Sequence, residues 1–450
     1  MATPSSCFPP CIPISSITMS RRTLWAKSPS PGQSQGEALT AHLVAALDAM
    51  IELQRRIGRI ALLPERFWIW AQLAILLHDS GKVADGFQIM VGNDARPAEP
   101  WGERHEILSL GFIDRLLIEL DPDDRLWVAT GVASHHRAFT ADTQAKLLPL
   151  FTCYQEEDPD AFAARFGRVE SELVGELEEW LISTACAYHL LPCCPRLQVP
   201  ARTLAEGAYY LFAELRDRWA EPLPRRDEHK GLTAVMLQAA VTLADHVSSA
   251  HGQLCIKSPL TAEYPKQLRA RLDQSGAQLR AHQAQAAAVD GHLLLRAPTG
   301  SGKTEAALLW AQTQLHALHR STGGNPRLFY SLPYLASINA MTDRLRVELD
   351  TIDIGVVHSR AASYHLSRAL RDDCAVPDET ADNDRVSAAH KAVSRTAATR
   401  LFRELVRVGT PYQLLRGALA GPAYSSILVD AVNSVFVFDE LHAYEPADSA

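Results

Sequence analysis

The sequence is short of everything that would make cysteine structural. Its eight cysteines (7, 11, 153, 186, 193, 194, 255 and 374) contain no Cys-x-x-Cys pair and no regular framework. In a chain of 450 residues this excludes a disulfide scaffold and reads as reduced thiols in a cytosolic protein. Cys7 and Cys11 are at most half of a metal site. No apolar run reaches the roughly 20 residues that a membrane-spanning helix needs. The start of the chain, with Pro9, Pro10 and Pro13, lacks a positive segment followed by an apolar core, so no secretory signal is read and a cytoplasmic location is expected. There is also no excess of positive charge: 44 basic against 52 acidic residues leave a net charge of −8. Any nucleic acid must therefore be held by local basic grooves rather than by bulk attraction. No internal repeat is visible, and no strand pattern appears between residues 37 and 250.

What is present is a soluble composition, 47% hydrophobic and 21% charged, in a length suited to two or three domains. The chain is organised around Leu76-Leu77-His78-Asp79-Ser80-Gly81-Lys82. The run Phe67 to Leu77 is apolar except for Gln72, the pattern of a helix buried on nearly all sides. A His-Asp pair at the end of such a helix is costly unless both groups are paired or bound to metal. Together they offer an imidazole and a carboxylate, a set suited to Mn, Fe, Co, Ni or Zn. A helix that simply ends there, with Gly81 as its left-handed cap, is the competing reading of these residues alone.

Around this centre the sequence predicts an all-helical domain over 37–250, preceded by an irregular Pro/Ser/Gly-rich extension over 1–36. Leu43, Leu47 and Met50 mark a first helix with His42 at the edge of its stripe. His105 opens another helix, and Asp121-Pro122 starts one that runs into His135-His136. Later helical stretches are expected at 169–191, 202–220 and 231–250, the last containing Asp245, with a loop at Glu221-Pro222-Leu223-Pro224. Residues 251–280 read as a linker.

After 280 short apolar runs alternate with helical stretches, which predicts an α/β domain with a parallel sheet over 281–450. His292–Ala297 leads into Pro298-Thr299-Gly300-Ser301-Gly302-Lys303-Thr304, with a helix after it; further strands are expected at Leu328–Leu332, Ile354–Val357 and Val435–Phe438. A loop ending in Gly-Lys-Thr between strand and helix is a phosphate cradle: its amides and the helix N-terminus favour anions, Lys303 reaches the β/γ-phosphates and Thr304 ligates Mg²⁺. Ala297 stands where the longer pattern has a leading glycine. Asp439 and Glu440, at the end of an apolar strand, suit Mg²⁺ binding and orientation of the attacking water. The Asp-rich stretch 371–385 reads as an exposed insertion.

Asp439-Glu440-Leu441-His442 resembles motif II of superfamily 2 helicases. Gln283 resembles their adenine-reading glutamine, Ser331-Leu332-Pro333-Tyr334 their strand-end element against nucleic-acid backbone, and Gly409-Thr410-Pro411-Tyr412-Gln413-Leu414-Leu415 a later element of the same track. A helical His-Asp domain joined to such a motor resembles the CRISPR-associated helicase-nuclease family of type I interference systems, from about Leu24 to Glu445 and including Asp439-Glu440-Leu441-His442-Ala443-Tyr444-Glu445. The resemblance implies a nuclease ligand set of His42, His78, Asp79, His105, His135, His136 and Asp245, with Lys82 in the place of the family's lysine. It implies two divalent transition-metal ions (Mn, Fe, Co or Ni) bridged by Asp79, and ATP with Mg in the P-loop domain. It further implies cleavage of single-stranded DNA without sequence preference, a motor that feeds strands to the site, and recruitment by the RNA-guided surveillance complex (Cascade). Asp79, Lys82 and Glu440 are the expected catalytic residues.

On the same resemblance the motor is expected to be incomplete. A second RecA-like domain with the arginine finger does not lie within these residues and is expected on a missing portion or a separate chain. Met19 is a candidate start, because residues 1–18 carry no periodic apolar pattern. Two alternatives stay open: an HD-type phosphohydrolase of small nucleotides with a regulatory ATP domain, and a chain that binds without turnover. Phosphate release from nucleotides against degradation of single strands separates the first from the nuclease reading.

Overall fold

The computed structural model describes residues 22–29, 35–92, 100–136, 150–156, 158–191, 202–219, 228–361, 363–366, 393–394, 396–419 and 425–444. Met19, the loop at Glu221, the stretch 371–385 and Glu445 lie outside the described residues. The chain divides into two compact units, Met1–Met50 with Glu65–Asp245, and Ile51–Pro64 with His246–Ala450. Among the described residues no helix is long and apolar enough to cross a membrane.

Among its described residues the first unit is helical apart from a small antiparallel pair, β1 (Trp25–Lys27) and β2 (Glu37–Ala38), too short for any periodicity to reveal. Its helices in chain order are α1 (Leu39–Ile57, of which the first part belongs here), α2 (Phe67–Leu77), α3 (Asp85–Val91), α4 (His105–Leu108), α5 (Leu110–Leu116), α6 (Pro122–Ser134), α7 (Leu150–Cys153), α8 (Pro159–Arg165), α9 (Ser171–Ala187), α10 (Leu204–Trp219) and α11 (Glu228–Ser249). The apolar run forms α2 as expected, and only Ile69 on it escapes burial. Close helix packing explains this: a Cβ on Gly131 of α6 would stand 2.8 Å from Ala74 Cβ of α2. Asp121 caps α6 by accepting from Asp123 N at 2.9 Å, with Pro122 in the first turn.

Two local readings are corrected. Gly81 is no left-handed cap; it sits in a 3-10 turn, Ser80–Val83, where a Cβ would stand 2.1 Å from the carbonyl oxygen of His105. The glycine serves close approach, not positive φ. The single helix expected after His105 is interrupted at Ser109 between α4 and α5, where the Ser109 hydroxyl accepts from Gly81 of that turn.

The second unit contains α12 (Tyr264–Gln274), α13 (Ala281–Ala288), α14 (Lys303–Thr322), β3 (Arg327–Ser331), α15 (Leu335–Glu348), β4 (Ile354–Val357), β5 (Val406–Gly409), α16 (Pro411–Leu419), α17 (Ser425–Ala431) and β6 (Ser434–Phe438). The four strands form one parallel sheet in the order β4-β5-β3-β6, with Ser331 in register with both Gly409 and Phe438. β3 is buried at every position, its Leu328, Phe329 and Tyr330 flanked by the buried polar Arg327 and Ser331. The stretch 251–280, expected as a linker, carries α12 instead; Leu260, Tyr264 and Leu268 enter the core of this unit.

The strands depart from the sequence reading twice. His292–Ala297 joins no ladder, and Leu294 is left 84% exposed. An apolar run becomes a strand only where a neighbouring edge pairs with it, and none of the described strands does. Conversely β5 has no apolar signature, because Arg407 interrupts it. That guanidinium is buried on Asp430. Ile51–Pro64 joins this unit through similar contacts: Arg56 donates to the carbonyl oxygens of Arg403 (3.1 Å) and Glu404 (2.8 Å).

Candidate metal centre and nucleotide loop

Five elements of the first unit bring the expected ligands together. His42 comes from α1, His78 and Asp79 from the end of α2, His105 from the start of α4, His135 and His136 from the end of α6, and Asp245 from α11. They form two groups, Asp79 with His105, His135 and His136, and His42 with His78 and Asp245; within each the ligand atoms lie within 4.8 Å of one another. Asp79 joins the groups. Its Oδ1 is 2.8 Å from His105 Nε2 and 3.9 Å from His135 Nε2, while its Oδ2 is 3.1 Å from His42 Nε2 and 3.4 Å from His78 Nε2. Asp245 Oδ1 faces His42 and His78 at 3.5 and 3.7 Å.

The ring nitrogens are already sorted. His78 Nδ1 bonds the Ile75 carbonyl oxygen at 2.6 Å and His135 Nδ1 that of Val132 at 2.7 Å, which leaves each Nε2 without its proton in the neutral ring. His42 Nδ1 lies 3.3 Å from Glu37 Oε1. The Nε2 atoms of His42, His78, His105 and His135, and Oδ1 of Asp79, are buried and make no hydrogen bond. Such orphaned buried atoms cost free energy unless a ligand satisfies them. Four imidazole nitrogens and two carboxylates aimed at one another fit divalent cations.

Electrostatics separates the histidines. Burial opposes charge on His42, but the Asp245, Asp79 and Glu37 carboxylates overcome it and raise its pKa to about 10. His78 is likewise desolvated yet raised to about 9 by Asp79 and Asp245. His135 is lowered to about 3 by burial and by the neighbouring His78 and His105 charges, and His136 to about 3 by burial and His135. Asp79 is desolvated, but His78, Lys82 and His105 hold it well below the usual carboxylate range, and Asp245 is lowered by His42 and His78. The raised values of His42 and His78 mean that a cation held by these rings competes with protons.

Lys82 Nζ sits 2.5 Å from Asp79 Oδ2 and 3.3 Å from the Ala26 carbonyl oxygen, buried beside Phe87. It holds the bridging carboxylate itself. Two supporting residues were missed in the sequence. Glu37, lowered to about 2 chiefly by its bond to His42, stands behind that ring. Ser109 Oγ accepts from Gly81 N (2.8 Å) and donates towards the carbonyl oxygens of His78 and His105 (each 2.9 Å). A lone serine 31 residues from His78 leaves no sequence signal.

In the second unit the loop before α14 has positive φ at Gly300 (74°) and Gly302 (84°), a conformation open to glycine. A Cβ on Gly302 would meet Gln283 Nε2 at 2.2 Å. Gln283 donates to Gly302 O (3.1 Å) and accepts from Arg280 N (2.9 Å), so its amide braces the loop. Ser301 Oγ is buried with no hydrogen-bond partner, and Lys303 Nζ rests 3.4 Å from Ala297 O. An orphaned hydroxyl and a lysine on a weak backbone contact fit a phosphate-holding loop. Asp439 Oδ2 accepts from Tyr330 at 2.7 Å and its Oδ1 from Glu440 N at 2.9 Å. Glu440 is exposed in left-handed backbone (φ 57°), 3.5 Å from His442.

Fold and site together define a helical, histidine-rich HD-type unit joined to a parallel-sheet P-loop unit of the helicase class. Comparison with known families agrees: the family described as "Cas3, HD domain" matches residues 25–254 and "DEAD/DEAH box helicase" matches 278–448. The chain belongs to the Cas3 family. It is 30% identical to a putative CRISPR-associated nuclease/helicase Cas3 of Myxococcus xanthus, over 94% of this chain and 56% of that protein. It is 26% identical to the CRISPR-associated endonuclease/helicase Cas3 of Thermus thermophilus, over 96% of this chain and 47% of that protein. A crystal structure of T. fusca Cas3 with AMPPNP aligns over 94% of this chain and 47% of that chain, with 18% identity and a TM-score of 0.49. The chain thus spans about half the length of these relatives.

Proposed function

We propose that the first unit is a metal-dependent nuclease acting on single-stranded DNA, with His42, His78 and Asp245 holding one cation, His105, His135 and His136 a second, and Asp79 bridging them. The observation that carries this reading is the set of buried, unbonded Nε2 atoms converging on the two oxygens of Asp79. Divalent cations, when bound, supply Lewis-acid chemistry that acidifies water and neutralises charge on a phosphodiester. The protein's part is orientation. Lys82 fixes Asp79, backbone carbonyls fix the His78 and His135 rings, and Glu37 fixes His42. None of these groups reads a base, which suits cutting without sequence preference.

The second unit is proposed to bind Mg-ATP through Lys303, Thr304 and Asp439, with Glu440 orienting water, in a superfamily 2 DNA motor. Within antiviral interference the proposed partner is the RNA-guided surveillance complex. The decisive experiment is incubation of the purified chain with circular single-stranded DNA and Mn²⁺, Ni²⁺, Co²⁺ or Mg²⁺. Circles have no ends, so linear and shorter products establish endonuclease action. Intact circles with every metal, beside release of phosphate from nucleotides, would turn the assignment to a small-nucleotide phosphohydrolase.

A further inference from the structure

Arg344 of α15 has no place in the nucleotide reading above, yet it lies on it. Its Nη1 donates to Thr304 Oγ1 at 3.0 Å, and its Nη2 bonds Glu305 Oε1. Thr304 is buried, whereas the Arg344 side chain is 45% exposed, so the guanidinium approaches the loop from its open side. On the other side Tyr330 of β3 gives its proton to Asp439 Oδ2 at 2.7 Å. Of the two side chains proposed to face Mg²⁺, Thr304 is therefore held by Arg344 and Asp439 by Tyr330.

A hydroxyl has one proton and two lone pairs. With one lone pair of Thr304 taken by Arg344, a cation arriving at Thr304 would sit next to a guanidinium. Two positive groups on one oxygen repel, and the guanidinium, though paired with Glu305, has solvent to move into. Resting on the reading of this loop as a Mg-nucleotide site, we propose that Arg344 is a stand-in cation: it holds Thr304 and the loop in the nucleotide-free state and must be displaced when Mg-nucleotide binds. It is a positioning residue that sets the threshold for loading, not a phosphate ligand.

The test measures binding of a slowly hydrolysed, fluorescently labelled ATP analogue to the full chain, once with Mg²⁺ and once with EDTA. Arg344→Gln is expected to bind the Mg-analogue about tenfold more tightly or better than wild type, the factor one charge-assisted hydrogen bond carries, with affinity in EDTA unchanged. Arg344→Lys, which keeps the charge and its donors on a single nitrogen, is expected to stay near wild type. Weaker or unchanged Mg-dependent binding by the Gln variant overturns the proposal, as does equal tightening by both variants. Matched melting curves of the three proteins certify their fold. Absence of nucleotide binding by the wild type itself would instead remove the P-loop reading on which the proposal rests.

Discussion

Asp430→Asn probes the interior of the second unit most sharply. Three guanidinium groups no more than 2% exposed converge there. Arg407 bonds Asp430 Oδ2, Arg56 lies 3.4 Å from Oδ1, and Arg327 donates to the Asp430 main-chain oxygen at 2.9 Å. Burial pushes Arg327 down to about 9 and Arg56 to about 10, so their charges are held at a cost. Asp430 and the buried Glu404 are the carboxylates that compensate them. Asparagine keeps the shape and the Arg327 bond but removes the charge. Breaking a buried ion pair in this way costs about 3–5 kcal/mol. At about 2–4 °C per kcal/mol for a unit of this size, the melting midpoint should fall by roughly 6–20 °C. Denaturant titration of the full chain, with amide exchange at β3 and β5 to isolate this unit, measures the loss. The sign with pH also follows. Asp430 is desolvated, but Arg407, Arg56 and Arg327 lower its folded pKa, so its contribution is complete above the unfolded carboxylate value and fades as pH falls through the folded one. The gap between wild type and variant should be flat near neutrality and close in acid. A loss below about 1 kcal/mol, the range of an exposed pair, or a gap that widens in acid, would refute the argument.

Asp79→Ala should bind fewer metal ions than wild type, by elemental analysis, and should leave circular single strands uncut, because both cation groups share that carboxylate. Gly81→Ala forces a Cβ against the carbonyl oxygen of His105, and overpacking of this kind typically costs about 1–3 kcal/mol. Denaturation and metal titration together should show the His105 group losing affinity first. Lys303→Ala should weaken Mg-nucleotide binding at least about tenfold in an equilibrium assay while the melting curve stays put, since Nζ makes only a 3.4 Å contact to Ala297 O.

Much of this protein is local and therefore written in the sequence. An apolar run without a polar face can only be a central helix, and α2 covers the run from Phe67 to Leu77. A His-Asp pair at its end, two further histidines closing α6, and Gly-Lys-Thr before α14 mark chemistry by residue type and spacing alone. The resemblance extended this to His42, His105 and Asp245, whose surroundings say little by themselves, and the structure brings all three to Asp79 or its neighbours. Tertiary structure alone decided what holds these groups in place. Glu37 behind His42, Ser109 against the Gly81 turn, Arg344 on Thr304 and Arg56 beside Asp430 are polar contacts, the last across 374 residues of chain. Apolar burial repeats with the period of a helix or strand and so leaves a pattern. A buried polar group is satisfied by whichever partner the fold delivers, and that partner has no periodicity to betray it. The same reason hid β5, whose Arg407 looks like surface until Asp430 is seen beside it, and left His292–Ala297 outside the sheet, because an apolar run becomes a strand only when a neighbouring edge accepts its hydrogen bonds.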